Sequence, residues 1–165
     1  MRLRSATAFA VALAVVAAGG RPAGAAADVP VPFACTSDVN AALARLVDRG
    51  RETVDNVMVC GTTISSSRRQ RGGAHGDHQI LPLRVILPGV GARLIEVVTN
   101  DALDGVVTAP AGASVFAYGQ FYAPARRPFV AGIHDVHCST HRGADNGWVV
   151  VAGQRFPQRA CARYR

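Results

Sequence analysis

Lysine is absent from this chain: all 18 basic residues are arginine, set against 11 Asp and Glu in 165 residues. Such a one-sided choice has the look of a codon bias, so the high isoelectric point is a poor argument for a selected phosphate-binding surface. Aromatic residues are scarce at 6%, with one Trp, and charged residues reach only 18%. With 49% hydrophobic residues, that low charge excludes a disordered tail, and the length excludes a multidomain enzyme. There is no Gly-rich phosphate loop, no Gly-x-Ser-x-Gly elbow and no Cys-x-x-Cys pair. Nucleotide hydrolysis, serine-esterase chemistry and thioredoxin-like exchange therefore have no support. After the first twenty residues no apolar run is long enough to cross a bilayer.

Residues 1–27 read as a secretory signal peptide. Arg2 and Arg4 make a positive start, residues 6–18 an uncharged Ala/Val/Leu stretch, and Ala25-Ala26-Ala27 the small residues a signal peptidase requires. Cleavage before Asp28 is expected, with Ala25 as the alternative, giving a secreted or periplasmic protein with no membrane span after processing. A retained anchor is the weaker reading, because Gly19, Gly20 and Arg21 close the apolar stretch early. Removal of Arg2, Arg4 and Arg21 leaves 15 arginines against 11 acids, a net charge of +4.

Four cysteines, Cys35, Cys60, Cys138 and Cys161, lie in the exported part, and an even count in an oxidising compartment predicts two disulfides. Three connectivities are open. The sequential one, preferred here, closes loops of 25 and 23 residues, each adding roughly 3.5 kcal/mol in the chain-entropy picture. The functional alternative makes Cys138 a nucleophile beside His137 and His141, and it needs a free thiolate.

Residues 28–52 form an N-terminal extension. Ser37 is a candidate N-cap, Val39, Ala42, Leu43, Leu46 and Val47 recur at helical spacing, and Gly50 can end the helix. From residue 53 to 165 the pattern is that of one β domain. Short β-rich runs at 54–64, 79–87, 93–99, 114–122, 129–136 and 147–152 are separated by Gly, Pro, Ser and Asp clusters. Residues 65–73 read as a flexible basic loop, Pro88-Gly89-Val90-Gly91 as a tight turn, and residues 100–105 as a single helical turn. The fold expected is mainly β: a small OB-like antiparallel barrel with one N-terminal amphipathic helix, since closure removes exposed strand edges. A small sandwich is the runner-up.

All five histidines fall in two segments, His75-Gly76-Asp77-His78 and His134-Asp135-Val136-His137-Cys138-Ser139-Thr140-His141. Each brings imidazole and carboxylate together, the ligand types of a divalent transition metal such as zinc. Side chains alternate along a strand, so His134 and His137 share a face only if the chain turns at Asp135. The β-branched Val130, Ile133 and Val136 argue against a helix, which leaves a strand carrying His134 that unwinds into a loop holding His137 and His141.

His78-Gln79-Ile80 before an apolar strand, Val98-Thr99-Asn100 before Leu103, the run Ala117-Tyr118-Gly119-Gln120-Phe121-Tyr122, and Gly132-Ile133-His134 with His137 and then Gly147-Trp148 occur in one order. That order resembles a bacterial family of small exported proteins classed as a domain of unknown function. The resemblance covers residues 57–151, omits the N-terminal helix, and implies an OB-like fold and export but no activity. Asp135 stands where an aromatic residue usually follows the first histidine of the last motif.

Three functions compete. The first is a non-enzymatic binding module that holds a metal ion, small ligand, peptide or oligosaccharide with Tyr118, Phe121, Tyr122, Trp148 and the histidines. Trp148 has a second reading as a core residue beside the barrel. The second function is a metal-dependent hydrolase with His78, His134 and His137 as ligands, His75 or His141 nearby, and Asp77 or Asp135 as general base. The third is nucleic-acid binding through Arg68, Arg69 and Arg71, disfavoured because no aromatic side chain interleaves them.

Overall fold

The computed structural model describes residues 29–161 apart from 51–53 and 141–144. The expected signal peptide and His141 lie outside the described residues. A 3-10 turn, Ser37–Asn40, leads into the helix α1 (Ala41–Arg49), and Gly50 closes it with φ +84°. Ser37 makes no side-chain cap and opens the 3-10 turn instead. Leu43 and Ala44 are the buried face of α1 and join the barrel core.

Eight strands follow: β1 (Val54–Thr63), β2 (Arg68–Gln70), β3 (His78–Leu87), β4 (Gly91–Asn100), β5 (Ser114–Tyr122), β6 (Ala131–His134), β7 (Trp148–Val151) and β8 (Gln154–Phe156). Five of them close into a barrel in the order β1-β3-β4-β6-β5, with β5 pairing back onto β1. β2 adds to β3, and the β7–β8 hairpin adds to β5. Two-residue alternation decides which side chains face inward: Leu81, Leu83, Val85 and Leu87 of β3, Ile95 and Val97 of β4, and Val115, Ala117 and Phe121 of β5 are all buried in one cluster. Burying each of the larger ones contributes about 1.5–3 kcal/mol.

One feature departs from the antiparallel barrel expected: β4 and β6 are parallel, with Glu96 opposite Gly132 and Val97 opposite Ile133. The reason is parity. Strand directions cannot alternate all the way round a ring of five, so a closed five-stranded barrel must contain a parallel pair. This pair brings the C-terminal ends of β4 and β6 to one rim, where β3 begins at His78, opposite Asn100.

Elsewhere β1 and β3 touch only at Thr62–Arg84 and Thr63–Leu83. In the gap beyond sits the buried side chain of Asn40. Its Oδ1 accepts the Cys60 N–H (2.8 Å), and its Nδ2 donates to the carbonyls of Cys60 (3.0 Å) and Ile86 (3.2 Å). Cys35 is disulfide-bonded to Cys60, and Cys138 to Cys161, the sequential pairing; no free cysteine is present. Cys138 is therefore no thiolate nucleophile. Among the described residues no helix is long and apolar enough to cross a membrane.

Candidate functional site

β6 stops because Asp135 takes a left-handed backbone, φ +52°. A non-glycine residue in this region is uncommon, with Asp among the few that enter it. The turn swings the chain so that the carboxylate of Asp135 lies between the imidazoles on either side of it in sequence. Its Oδ1 is 3.3 Å from His134 Nδ1 and 3.6 Å from His137 Nε2. Two glycines admit this turn: a Cβ at Gly119 would strike the His134 carbonyl, and one at Gly147 the Asp135 carbonyl. The Gly147 N–H then donates to the His137 carbonyl (2.8 Å), holding the loop after Asp135 against the start of β7.

The imidazole of His137 is placed between two acceptors, for its Nδ1 is 2.9 Å from the Cys138 carbonyl while Nε2 faces Asp135. A neutral ring can donate to one of them; the imidazolium donates to both. The hydrogen bond to Asp135 accordingly raises the His137 pKa above its usual 6.5 despite partial burial. Hydrogen bonds from His134 and His137 in turn hold the Asp135 carboxyl far below the ordinary carboxylate range. Asp135 is thus a weak base, poorly suited to abstract a proton. His134 is turned the other way round: Nδ1 faces the carboxylate, its side chain is 36% exposed, and the ring meets the edge of Tyr122 at 5.1 Å.

Behind His137 lies Asp104, 3% exposed. Its Oδ2 accepts the Asn100 N–H (2.6 Å), while its Oδ1 is buried with no hydrogen-bond partner among the described residues. Burial pushes this carboxyl up to about 6, against the lowering influence of the Asn100 N–H and the His137 charge. Sequence reading placed Asp104 in a single helical turn and gave it no role. The available signal was the Asn-Asp-x-x-Asp run at a strand end: the Asn100 Oδ1 accepts the Ala102 N–H (2.9 Å), and this turn draws Asp104 back onto Asn100.

Glu96 is a second acid that sequence reading left out. On one rung across β4, β6 and β5 stand Glu96, Gly132 and Tyr122. Because Gly132 has no side chain, the Tyr122 ring lies over it and its hydroxyl donates to Glu96 Oε1 at 2.8 Å. Burial, with the Glu96 charge beside it, pushes the Tyr122 phenol well above its usual range.

The first histidine segment reaches the same rim but makes a separate network. His78 stands beside Asn100, with Nε2 3.5 Å from Asn100 Nδ2. Asp77 is bound by Arg69, which also approaches Asp101 (3.8 Å), and Gln79 Nε2 donates to both Asp101 oxygens (3.0 Å each). Asp77 is thereby occupied, and one of the three loop arginines is neutralised. Nor is that loop structureless, since residues 68–70 form β2. His75 sits in a 3-10 turn, Gly73–His75. No group of three or more His, Cys, Asp or Glu among the described residues is arranged to hold a metal ion.

The four aromatic residues expected to make a platform are not all at the surface, although the Tyr118 ring stacks on that of Trp148 with centroids 6.2 Å apart. Phe121 points into the barrel and is fully buried. Trp148 is fully buried too, its Nε1 donating to the Val29 carbonyl (2.9 Å) and its ring covered by the Arg155 guanidinium at 5.5 Å. Tyr118 and Tyr122 are half-buried; the Tyr118 hydroxyl donates to Asp145 (2.8 Å).

A groove of about 600 Å³ runs between residues 101–108 and the segment 154–159, with Asp101, Asp104, Phe156 and Arg159 in its walls. Compared with protein-family models, with curated proteins and with solved structures, the chain matches none.

Proposed function

We propose that this chain is a small exported β-barrel binding protein, OB-like in topology, that holds a polar ligand at the rim formed by the ends of β4 and β6. The observation that carries the reading is the carboxylate of Asp135 fixed between two imidazoles. Nδ1 of His134 lies 3.3 Å from that carboxylate, so the half-exposed ring is held with its Nε2 directed away from Asp135. Half-buried Tyr122 flanks it. Pre-orienting a recognition group in this way lowers the cost of ordering it on binding.

A closed five-stranded ring with one parallel pair supports the OB-like assignment. Two disulfides are compatible with an oxidising compartment. The metal reading takes second place, because the Asp135 carboxylate favours the protonated ring of His137 while ligation needs the neutral one. The hydrolase reading keeps one supporting observation, a carboxyl of pKa about 6 at Asp104 beside the cluster.

Two measurements on the exported protein test the reading. An array of oligosaccharides and peptides should give hits that vanish in His134→Ala and persist in Arg68→Ser. Calorimetric titration of zinc into wild type, His134→Ala and His137→Ala should show no site that the variants lose. Zinc binding abolished by both substitutions overturns the polar-ligand reading in favour of the metal, and hits indifferent to His134 remove the rim from consideration.

A further inference from the structure

The alternation that sends Ala117 and Phe121 of β5, Ile133 of β6 and Val57 of β1 into the core sends their neighbours in sequence to the outside of the barrel. Pairing lines these neighbours up. Gln120 stands opposite His134 on one edge of β5 and opposite Asn56 on the other, so an imidazole and two side-chain amides form a row across three strands, each about 5 Å from the next at Cβ. All three are half-exposed. Tyr122 flanks the row two residues along β5 in one direction, and Tyr118, opposite Met58, two residues in the other. That places the backbones of the two tyrosines about 14 Å apart.

The flanking groups are already held in place. Tyr122 lies over Gly132 with its hydroxyl on Glu96 (2.8 Å), and the His134 ring stands at 76° to it with Nδ1 3.3 Å from Asp135. The Tyr118 ring stacks on Trp148 and its hydroxyl donates to Asp145, whose carbonyl also accepts from Asn56 Nδ2 at 3.4 Å. In the middle, the Gln120 amide makes no hydrogen bond among the described residues. Groups fixed before binding lower the cost of ordering them on binding.

The chemistry of the row selects a ligand class. Asn and Gln amides offer both donors and acceptors, as sugar hydroxyls do, and the apolar face of a sugar ring packs against a tyrosine. A nucleic-acid backbone suits the row less, since no arginine stands in it or in its two tyrosines and Glu96 lies on the same outer face. An extended peptide finds no free strand to pair with here, because β5 is occupied by β1 on one edge and by β6 and β7 on the other.

We propose that the outer face of β6, β5 and β1 binds a neutral oligosaccharide, with hydroxyl groups on His134, Gln120 and Asn56 and sugar rings against Tyr122 and Tyr118. The inference rests on the rim reading for His134, which belongs to both, and adds to it the ligand class and the two amides. A chain of several sugars reaches both tyrosines; a single sugar reaches one.

The test uses the exported, disulfide-bonded protein labelled with ¹⁵N. Maltohexaose, cellohexaose, mannohexaose and N-acetylchitohexaose are titrated separately while the side-chain amide signals of Asn56 and Gln120 are followed. At least one should shift both signals and bind about tenfold more tightly than its own monosaccharide, the worth of the second aromatic contact. Gln120→Ala should weaken that hexasaccharide about tenfold, read at Asn56, whereas Arg68→Ser should leave it unchanged. The Gln120 side chain is half-exposed and unbonded, so its removal should preserve the fold, which the backbone amide spectrum checks. An absence of shifts at both amides up to about 10 mM of every hexasaccharide overturns the proposal. So does hexasaccharide binding that Gln120→Ala and Asn56→Ala leave intact. Peptide hits lost in His134→Ala with no saccharide bound keep the rim reading and overturn the oligosaccharide; saccharide binding lost in Gln120→Ala but indifferent to His134→Ala keeps the face and removes the rim.

Discussion

Nε2 of His137 stands 3.6 Å from Oδ1 of Asp135, and that separation sets the charge of the whole cluster. With Nδ1 committed to the Cys138 carbonyl, the second ring nitrogen can face a carboxylate favourably only as N–H. The two groups are held on one short loop, and the carboxylate favours the protonated form of the ring. The pair's contribution to stability has a defined window. His137 is raised, so its share is present below 6.5 and is lost as the pH rises through its folded value. Asp135 is lowered, so its share is present above about 4 and is lost as the pH falls through its folded value.

His137 should therefore titrate above 6.5, and Asp135→Asn should bring it down. Side-chain nitrogen NMR across pH 5 to 9 reads both rings. A wild-type His137 that titrates at or below 6.5 would contradict the two-acceptor geometry.

Asp104 gives a dependence of opposite sign. The folded state keeps its proton to about 6 while the unfolded chain loses it near 3.8, so stability falls as pH rises between those values. A shift of that size corresponds to about 3 kcal/mol. Asp104→Asn should remove this slope, stabilising the protein by about 2 kcal/mol at pH 7.5 and by little at pH 4 in urea unfolding. Equal loss of stability at both pH values would show that the amide fails to replace the carboxylate on the Asn100 N–H.

Gly132→Ala should separate Tyr122 from Glu96, because the new methyl occupies the place of the Tyr122 ring. A cost of about 2–3 kcal/mol is expected, the worth of a hydrogen bond to a buried charged acceptor. Tyr122→Phe should cost a similar amount, and the double variant should cost much less than the two together. Additive losses would mean that the glycine serves some purpose other than admitting the ring.

Exported material should begin at or near Asp28 and contain no free thiol after denaturation, consistent with both pairings. Intact mass and thiol titration decide this. Met1 or Arg2 on the exported chain, or two reactive thiols, would sink the export reading or the pairing respectively.

The longer strands were legible from their apolar, β-rich runs and the turn residues between them. Residues 114–122 are read correctly to the residue because burial alternates along their length; β3 and β4, matched to within two, carry stretches buried on both faces, residues 79–83 and 95–97, and are legible as apolar β-rich runs between turn residues. β2 and β8 escape notice because each is a three-residue edge strand with no buried position to set a period. The turn at Asp135 is foreseeable from the clash between strand alternation and a shared site. The charge state of His137 is not, since it depends on the carbonyl of Cys138. Asp104 is hidden for a similar reason: nothing in the Asn/Asp/Gly composition of its turn marks one acid for burial beside the Asn100 N–H. The burial of Trp148 was not legible, because the one-dimensional pattern does not reveal that its indole N–H donates to the Val29 carbonyl, far away in sequence.

Asn40 has a consequence for how the barrel closes. In the register that pairs Thr62 with Arg84, Cys60 falls opposite Ile86, and the side-chain amide of Asn40 bonds to both. One primary amide does the work of a missing ladder rung, a shim driven between two staves. The disulfide at Cys60 fastens Cys35 to the same point, five residues before Asn40. The short helix is thus a keystone of the seam between β1 and β3, and withdrawing it would open the cylinder along that line while leaving the β3–β4 and β1–β5 ladders whole.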